Sequence, residues 1–325
     1  MHIVVNGPIA CEGLSALTSH FGDRATITPF ATKDAAALDP AAFAAAEVLI
    51  SIAYDSSMPP TPRLRLLQLP VSGLDSVDFA VVTAGCAVCN VFEHDIGISE
   101  YVLAAMLHDT VGLAGRNARF KAGSWVENPV RGGAFRRELA GQTLGTIGYG
   151  SIGRAVATRA RAFGMRVMAV TRTPRALEPA PDWLGGFDQL DHLLAHADYV
   201  LIACPLNDET RGLIGRAQLA RMKRGAVLIN VARGPIVDQD VLYEALRDGV
   251  VGGAILDTWY RYPSAAEPEV MPADHPFHEL ANVVMTPHLS GWTEGLMPRR
   301  FAVIIDNLER LAAGRPLRHQ VHLQA

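Results

Sequence analysis

The sequence predicts an α/β protein with parallel sheets, and three observations carry that prediction. Short apolar runs alternate with helix-like segments between Ile3 and Leu69. A second alternating series runs from Thr143 to about Pro287, and a glycine-rich turn stands between the strand and the helix that open it. Strands alternating with helices build parallel sheets with helical crossovers. With 325 residues, the chain has the length of two domains or one large one.

In order along the chain, Ile3–Val5, Ala25–Ile27, Val48–Ala53 and Leu64–Leu69 read as strands, and Leu14–His20 and Ala41–Glu47 as the helices between them. Ser99 is the expected N-cap of a long helix over Glu100–Val111, whose Tyr101, Leu103, Ala104, Leu107 and Val111 follow mostly helical spacing. A loop-rich stretch follows with Arg116, Arg119, Lys121, Arg131, Arg136 and Arg137, read as a solvated or subunit-facing surface. The last helix, Pro298–Ala313, places Phe301, Ile304, Ile305, Leu308 and Leu311 on one face and stops at Gly314.

Composition narrows the function classes. Hydrophobic residues make up 49% and charged residues 19%, which excludes a disordered or fibrous chain. Lys and Arg number 29 against 33 Asp and Glu, a formal charge of -4, too balanced for a dedicated binder of nucleic acid or anionic membrane. The start, Met1 to Gly7, lacks the basic region of a secretory signal. The most apolar long stretch, Ile96–Gly115, is interrupted by Glu100, His108 and Asp109, short of the roughly 18 apolar residues of a membrane helix. A cytoplasmic location is the expectation. Cys86 and Cys89 have C-x-x-C spacing, but they sit in a strand-like run without a second ligand pair, so Cys11, Cys86, Cys89 and Cys204 read as ordinary thiols. His94, His192, His196, His275 and His278 form no metal constellation, and no metal is assigned.

Thr143–Ile147 is a short apolar strand, Gly148-Tyr149-Gly150-Ser151-Ile152-Gly153 is G-x-G-x-x-G, and Arg154–Phe163 continues as helix. That placement makes the motif a dinucleotide fingerprint. Gly148 permits the tight turn, Gly150 lets the backbone approach pyrophosphate, and Gly153 allows close packing of helix on strand. The next strand, Arg166–Val170, runs into Thr171-Arg172-Thr173-Pro174-Arg175. An NAD site usually has an acid here, about 20 residues after the turn, to hold the ribose hydroxyls. This chain has Thr171 instead, and Arg172 with Thr173 or Arg175 offers donors for a 2′-phosphate, so NADP is expected ahead of NAD.

The ordered motifs resemble the D-isomer-specific 2-hydroxyacid dehydrogenase family, of the glyoxylate/hydroxypyruvate reductase type, most strongly from Glu138 to Gly291. The residues that carry the resemblance are Gly141–Gly145 through Gly153-Arg154, Ala197–Val200 with Cys204-Pro205-Leu206, Met222–Gly234, Gly253–Asp257 and Thr286–Gly291. It implies a Rossmann cofactor domain, residues 96–292, inserted into a smaller flavodoxin-like α/β substrate domain, residues 1–95 and 293–325. It also implies a substrate cleft and a homodimer formed through the cofactor domains. Arg233 matches the substrate-orienting arginine, His288 the acid/base histidine, Asp257 the residue near the nicotinamide carboxamide, and Ser72-Gly73 the turn whose amides bind the substrate carboxylate. Cofactor contacts carried over by the same match are Tyr149, Gly150, Ser151, Ile152, Thr171, Arg172, Thr173, Cys204, Pro205, Val231, Ala232, Asp257 and His288.

One position departs from the pattern. The family normally pairs the histidine with a Glu followed by Pro, where this chain has Tyr262-Pro263. A carboxylate favours the imidazolium and a phenol only hydrogen-bonds, so His288 is expected to titrate lower than in typical members. Glu267-Pro268 is a second candidate for the missing partner. The implied function is hydride transfer between NADPH and a small 2-oxo acid of glyoxylate or hydroxypyruvate type, giving a D-2-hydroxy acid. The alternatives are a dehydrogenase of another small anion, as in the formate dehydrogenases that also lack the Glu, and a non-catalytic dinucleotide sensor. Arg233 and His288 together favour the enzyme.

Overall fold

The structure, a computed structural model, describes residues 1–32, 34–264 and 267–321. Positions 322–325 of the expected C-terminal segment lie outside the described residues. The chain divides into two compact units, Met1–Glu93 with the segment from Thr293 onward, and His94–Trp292. In chain order the strands are β1 (His2–Asn6), β2 (Thr26–Phe30), β3 (Val48–Ser51), β4 (Leu66–Gln68), β5 (Ala87–Cys89), β6 (Thr143–Ile147), β7 (Arg166–Thr171), β8 (Trp183–Gly186), β9 (Tyr199–Ile202), β10 (Val227–Asn230), β11 (Gly253–Leu256), β12 (Val283–Met285) and β13 (Gln320–Val321).

The first unit carries a sheet of order β13-β5-β4-β3-β1-β2. Its strands run parallel except β13, which pairs antiparallel with β5. Ile3, Val5, Ile50 and Leu66 of this sheet pack with Phe301, Ile304 and Leu308 from the helix Leu296–Ala312. Burying each such side chain stabilises the fold by about 1.5–3 kcal/mol, which explains why the end of the chain returns to its beginning. The helix ends before Gly314, at φ 62 in the left-handed region. Buried Asn307 donates from Nδ2 to the Gln68 Oε1 at 2.8 Å and accepts from the Arg318 amide, tying the approach to β13 onto the core.

The second unit carries a fully parallel sheet of order β12-β11-β10-β9-β6-β7-β8. Every residue of β6, β9, β10 and β11 is buried, as parallel sheets covered on both faces require. One face packs Leu144, Tyr199, Leu201 and Ile229 against Val102 and Met106 of the helix Asp95–Val111 and Val156 and Ala160 of the helix Ser151–Ala162. The other packs Val200, Ile202 and Leu228 against Leu193, Leu219, Leu242 and Leu246.

One local expectation is corrected. The helix expected from an N-cap at Ser99 begins at Asp95, with His94 at its cap, so Ser99 is interior and fully buried. Its hydroxyl donates back to the Ile96 carbonyl at 2.8 Å. Ile98 reaches the core one turn ahead of Val102, and Asp95 complements the positive end of the helix dipole; together they extend the helix upstream.

Candidate active site

The glycine-rich turn leaves the sheet at β6, where the order reverses between β7 on one side and β9 on the other. Crevices at such switch points are where open α/β sheets bind ligands. Gly148 has φ 95, and a Cβ there would lie 2.7 Å from the Ala203 carbonyl oxygen, so both backbone hand and space demand glycine. A Cβ on Gly153 would lie 2.5 Å from the Gly148 oxygen. Gly150 caps the helix Ser151–Ala162 and has nothing within 4 Å of its ideal Cβ; its opening faces no protein atoms.

Beside the turn lies an open pocket of about 640 Å³, whose walls include Gly148–Gly150, Thr171–Thr173, Arg175, Cys204-Pro205 and Asn207–Thr210 without Asp208. Thr171 Oγ1 is buried without a hydrogen-bond partner, an unusual state for a buried hydroxyl. Arg172 is largely exposed, 3.7 Å from the Glu209 carboxylate. Tyr149 contributes backbone to the wall, because its own ring packs with Ala157 and Val167 and its hydroxyl donates to the Pro179 carbonyl. Ile152 packs into the core and Ser151 is exposed. Burial pushes the Cys204 thiol up to about 11, so it is a neutral thiol in the wall, not a nucleophile.

The second cluster grows from three neighbouring strand ends. Asn230, Leu256 and Met285 are in register across β10, β11 and β12, and the chain leaves them toward Arg233, Asp257 and His288. Buried Asn230 clamps the first exit: its Oδ1 accepts from the Ala232 amide at 3.1 Å and its Nδ2 donates to the Arg233 carbonyl at 2.9 Å. Val231 and Ala232 are buried within this turn. The half-buried Arg233 donates from Nη1 to the Ala232 carbonyl at 2.8 Å.

Asp257 is 0% exposed. Its Oδ1 accepts from the Thr286 hydroxyl at 2.6 Å and the Leu289 amide at 2.9 Å, and its Oδ2 from the Ser290 amide at 2.9 Å. Tyr101 adds a hydroxyl contact to Thr286 Oγ1 at 2.7 Å, and the Trp259 indole donates to the Thr286 carbonyl at 2.8 Å. The segment so held contains His288 at φ 58. The left-handed conformation costs an ordinary residue about 1–2 kcal/mol, whereas hydrogen bonds to a charged group contribute about 1.5–3 kcal/mol each; three of them outweigh the strain. Asp257, matched by its motif to the residue near the nicotinamide carboxamide, also braces the backbone that carries His288.

Tyr262 Oη lies 2.9 Å from His288 Nδ1, and the Trp259 amide donates to the same Oη at 3.1 Å. The phenol can serve either state of the ring, donating to Nδ1 of a neutral imidazole that carries its proton on Nε2, or accepting from Nδ1–H of the imidazolium. Loss of water around His288 lowers its pKa below the ordinary 6.5, opposed by the charge of Asp257 and reinforced by that of Arg233. Burial likewise raises the pKa of Tyr262, keeping it a phenol. Glu267 is instead exposed, bonded through its amide to Ser264 Oγ, and the histidine partner is Tyr262. Ser72 and Gly73 belong to the first unit, in a half-buried turn where the Asn90 side chain donates to the Ser72 carbonyl at 2.9 Å. Sequence reading missed Asn230, Thr286, Tyr101 and Trp259; only Asn230, a turn-forming type at a strand end, left a local signal. No His, Cys, Asp or Glu cluster among the described residues is arranged to hold a metal, and no described helix is long and apolar enough to cross a membrane.

The family model for the NAD-binding domain of D-isomer specific 2-hydroxyacid dehydrogenases matches residues 103–290. The chain is 32% identical over 265 residues to a glycerate dehydrogenase of Methylorubrum extorquens, covering 78% of each protein. It is 36% identical over 219 residues to a glyoxylate/hydroxypyruvate reductase B of Yersinia pestis, covering 67% of this chain and 64% of the relative. It spans 48% of the length of two other curated relatives that it matches. Among solved structures, a D-isomer specific 2-hydroxyacid dehydrogenase family protein from Aeromonas salmonicida superposes with a TM-score of 0.83 at 25% identity over 98% of each chain. With its parallel sheet, its glycine turn and a match running through both Arg233 and His288, the chain belongs to the D-isomer-specific 2-hydroxyacid dehydrogenase family of nicotinamide-dependent oxidoreductases.

Proposed function

We propose that the protein transfers hydride between NADPH and a small 2-oxo acid of the glyoxylate or hydroxypyruvate type, giving the D-2-hydroxy acid, with NADP preferred to NAD. The observation that carries this reading is the convergence of Arg233 and a restrained His288 at neighbouring strand ends. The residues fit a dinucleotide: the Gly150 opening leaves room for pyrophosphate, and Thr171 Oγ1 is a buried polar atom awaiting a partner. NADPH, when bound, supplies the hydride. Gly150, Ser151 and Ile152 would hold its pyrophosphate at the helix N-terminus, Thr171, Arg172 and Thr173 its phosphorylated ribose, with Cys204, Pro205, Val231 and Ala232 as further walls.

As hydride arrives, negative charge develops on the carbonyl oxygen. The planar guanidinium of Arg233 orients the 2-oxo acid and stabilises that charge, and His288, as the imidazolium, gives the proton from Nε2 and returns to the neutral ring. Tyr262 holds the other ring nitrogen, and Asp257 sets the loop on which the ring stands. Ser72 and Gly73 are assigned the substrate carboxylate on their motif. Loss of NADPH absorbance against a panel of 2-oxo acids tests the reading, with His288→Asn as control. Turnover that disappears in the variant supports it; tight dinucleotide binding without turnover in the natural protein would overturn it in favour of a sensor.

A homodimer is part of this proposal. Val130 and Phe135 are 94% and 105% exposed, and Leu113, Phe120, Trp125 and Val126 also stand out on the same stretch. An apolar series of this size is characteristic of an association surface.

A further inference from the structure

We infer that Glu209 is a specificity-determining residue for the dinucleotide, setting the balance between NADPH and NADH from the wall opposite Arg172. This inference rests on the reading that the pocket beside the glycine turn takes the adenosine end of the cofactor.

Ribose recognition is a choice between donors and acceptors. A free diol is held by a carboxylate, and a 2′-phosphate by cations and hydroxyls. The end of β7 supplies cations and hydroxyls but no carboxylate, since residues 171–175 contain no acid. The acceptor comes from elsewhere: Glu209, on the loop after β9, lines the same pocket with its carboxylate 3.7 Å from Arg172 Nη1. That loop is fixed from below. Asn207 Oδ1 accepts from the amides of Glu209 and Thr210, both at 3.0 Å, and the buried Thr210 hydroxyl donates to the Pro205 carbonyl at 2.7 Å. The backbone under Glu209 is thus rigid while its carboxylate is 60% exposed at the pocket edge.

Both ions of the pair are mostly exposed, so solvent screens it and it opens readily. A 2′-phosphate, with more charge and more acceptor oxygens, displaces Glu209 from Arg172. The carboxylate then stands close to a like charge and weakens NADPH binding, whereas toward NADH it offers the ribose an acceptor. The same residue therefore opposes one cofactor and favours the other.

The test measures dissociation constants of NADPH and NADH for the natural protein, Glu209→Gln, Arg172→Ala and the double variant. Glu209→Gln is expected to tighten NADPH by roughly three- to tenfold, the scale of one partly screened charge, and to leave NADH unchanged or weaker. The gain is expected to persist when Arg172 is already Ala, because the repulsion does not need the pair, and to shrink at high salt. An NADPH-to-NADH ratio unmoved by Glu209→Gln, or a gain undiminished at high salt, would overturn the inference. The NADP reading fails separately, if the natural protein binds NADPH no tighter than NADH and Arg172→Ala weakens both alike.

Discussion

The Tyr262 hydroxyl stands 2.9 Å from His288 Nδ1 while its oxygen takes the Trp259 amide, so the phenol is held against the histidine ring. A carboxylate in that place would stabilise an imidazolium by its charge; this phenol brings no charge to do so. The pKa of His288, lowered from 6.5 chiefly by burial, gives the sign of the pH dependence. Reduction needs the protonated ring, so kcat/KM for 2-oxo acid reduction is expected to fall as pH rises through a value below 6.5, and oxidation of the hydroxy acid to rise through the same range. Initial rates in both directions between pH 5 and 9 check this.

Tyr262→Glu restores a carboxylate beside Nδ1. An opposite charge at this range moves a pKa by about one to three units, and for a histidine the shift is upward. The falling limb of the reduction profile is expected to move to higher pH by that amount, and Tyr262→Phe is expected to leave it low while reducing kcat. A Tyr262→Glu profile identical to that of the natural protein would remove the phenol from control of His288.

Asp257→Asn preserves shape but turns one acceptor into an amide that faces a backbone N–H. Leaving a buried group unsatisfied costs about 1–3 kcal/mol, so a lower melting temperature is expected. Because the affected amides belong to Leu289 and Ser290, kcat should fall while the affinity for NADPH is nearly unchanged. Tyr101→Phe removes the outer hydroxyl and should reproduce the kcat effect more weakly.

The two glycines of the turn separate folding from binding. Gly148→Ala places a methyl 2.7 Å from the Ala203 oxygen at φ 95, and is expected to cost about 1–3 kcal/mol of stability. Gly150→Ala meets nothing in the protein, so its melting temperature should match the natural protein while its dinucleotide affinity falls about tenfold or more. Thermal unfolding and dinucleotide titration of both variants check the contrast.

Phe135→Asp combined with Val130→Asp is expected to yield monomers in light scattering, with the second unit still folded by circular dichroism. Both side chains are free of the core, so a dimer that persists would place the association surface elsewhere.

What was legible in the sequence had local causes. The phosphate turn could be read because close backbone approaches at Gly148 and Gly153 exclude any side chain, and Arg233 and His288 because each follows an apolar strand in a recognisable motif. The tyrosine at position 262 was legible as a departure from the family pattern. The supports of the histidine were not, because they act across distance in sequence: Tyr101 and Thr286 are 185 residues apart, and no periodicity links them. Asp257 was read by its motif as a ligand contact; its bonds to Thr286, Leu289 and Ser290 were not legible, because those donors lie 29, 32 and 33 residues further along the chain. Ser99 misled because its residue type is that of a cap, and packing of Ile98 overrode it.

The left-handed backbone at His288 sorts the amino acids that position can accept before any chemistry is asked of them. Asn, Asp and Gly enter that conformation readily, whereas β-branched residues pay heavily for it. In a saturation library, then, position 288 would divide inactive variants into two populations. Those with Asn or Gly would be folded and proton-deficient, and those with Val, Ile or Thr would have a disturbed loop as well. Only the first group isolates the proton, and a screen scoring activity alone would merge the two.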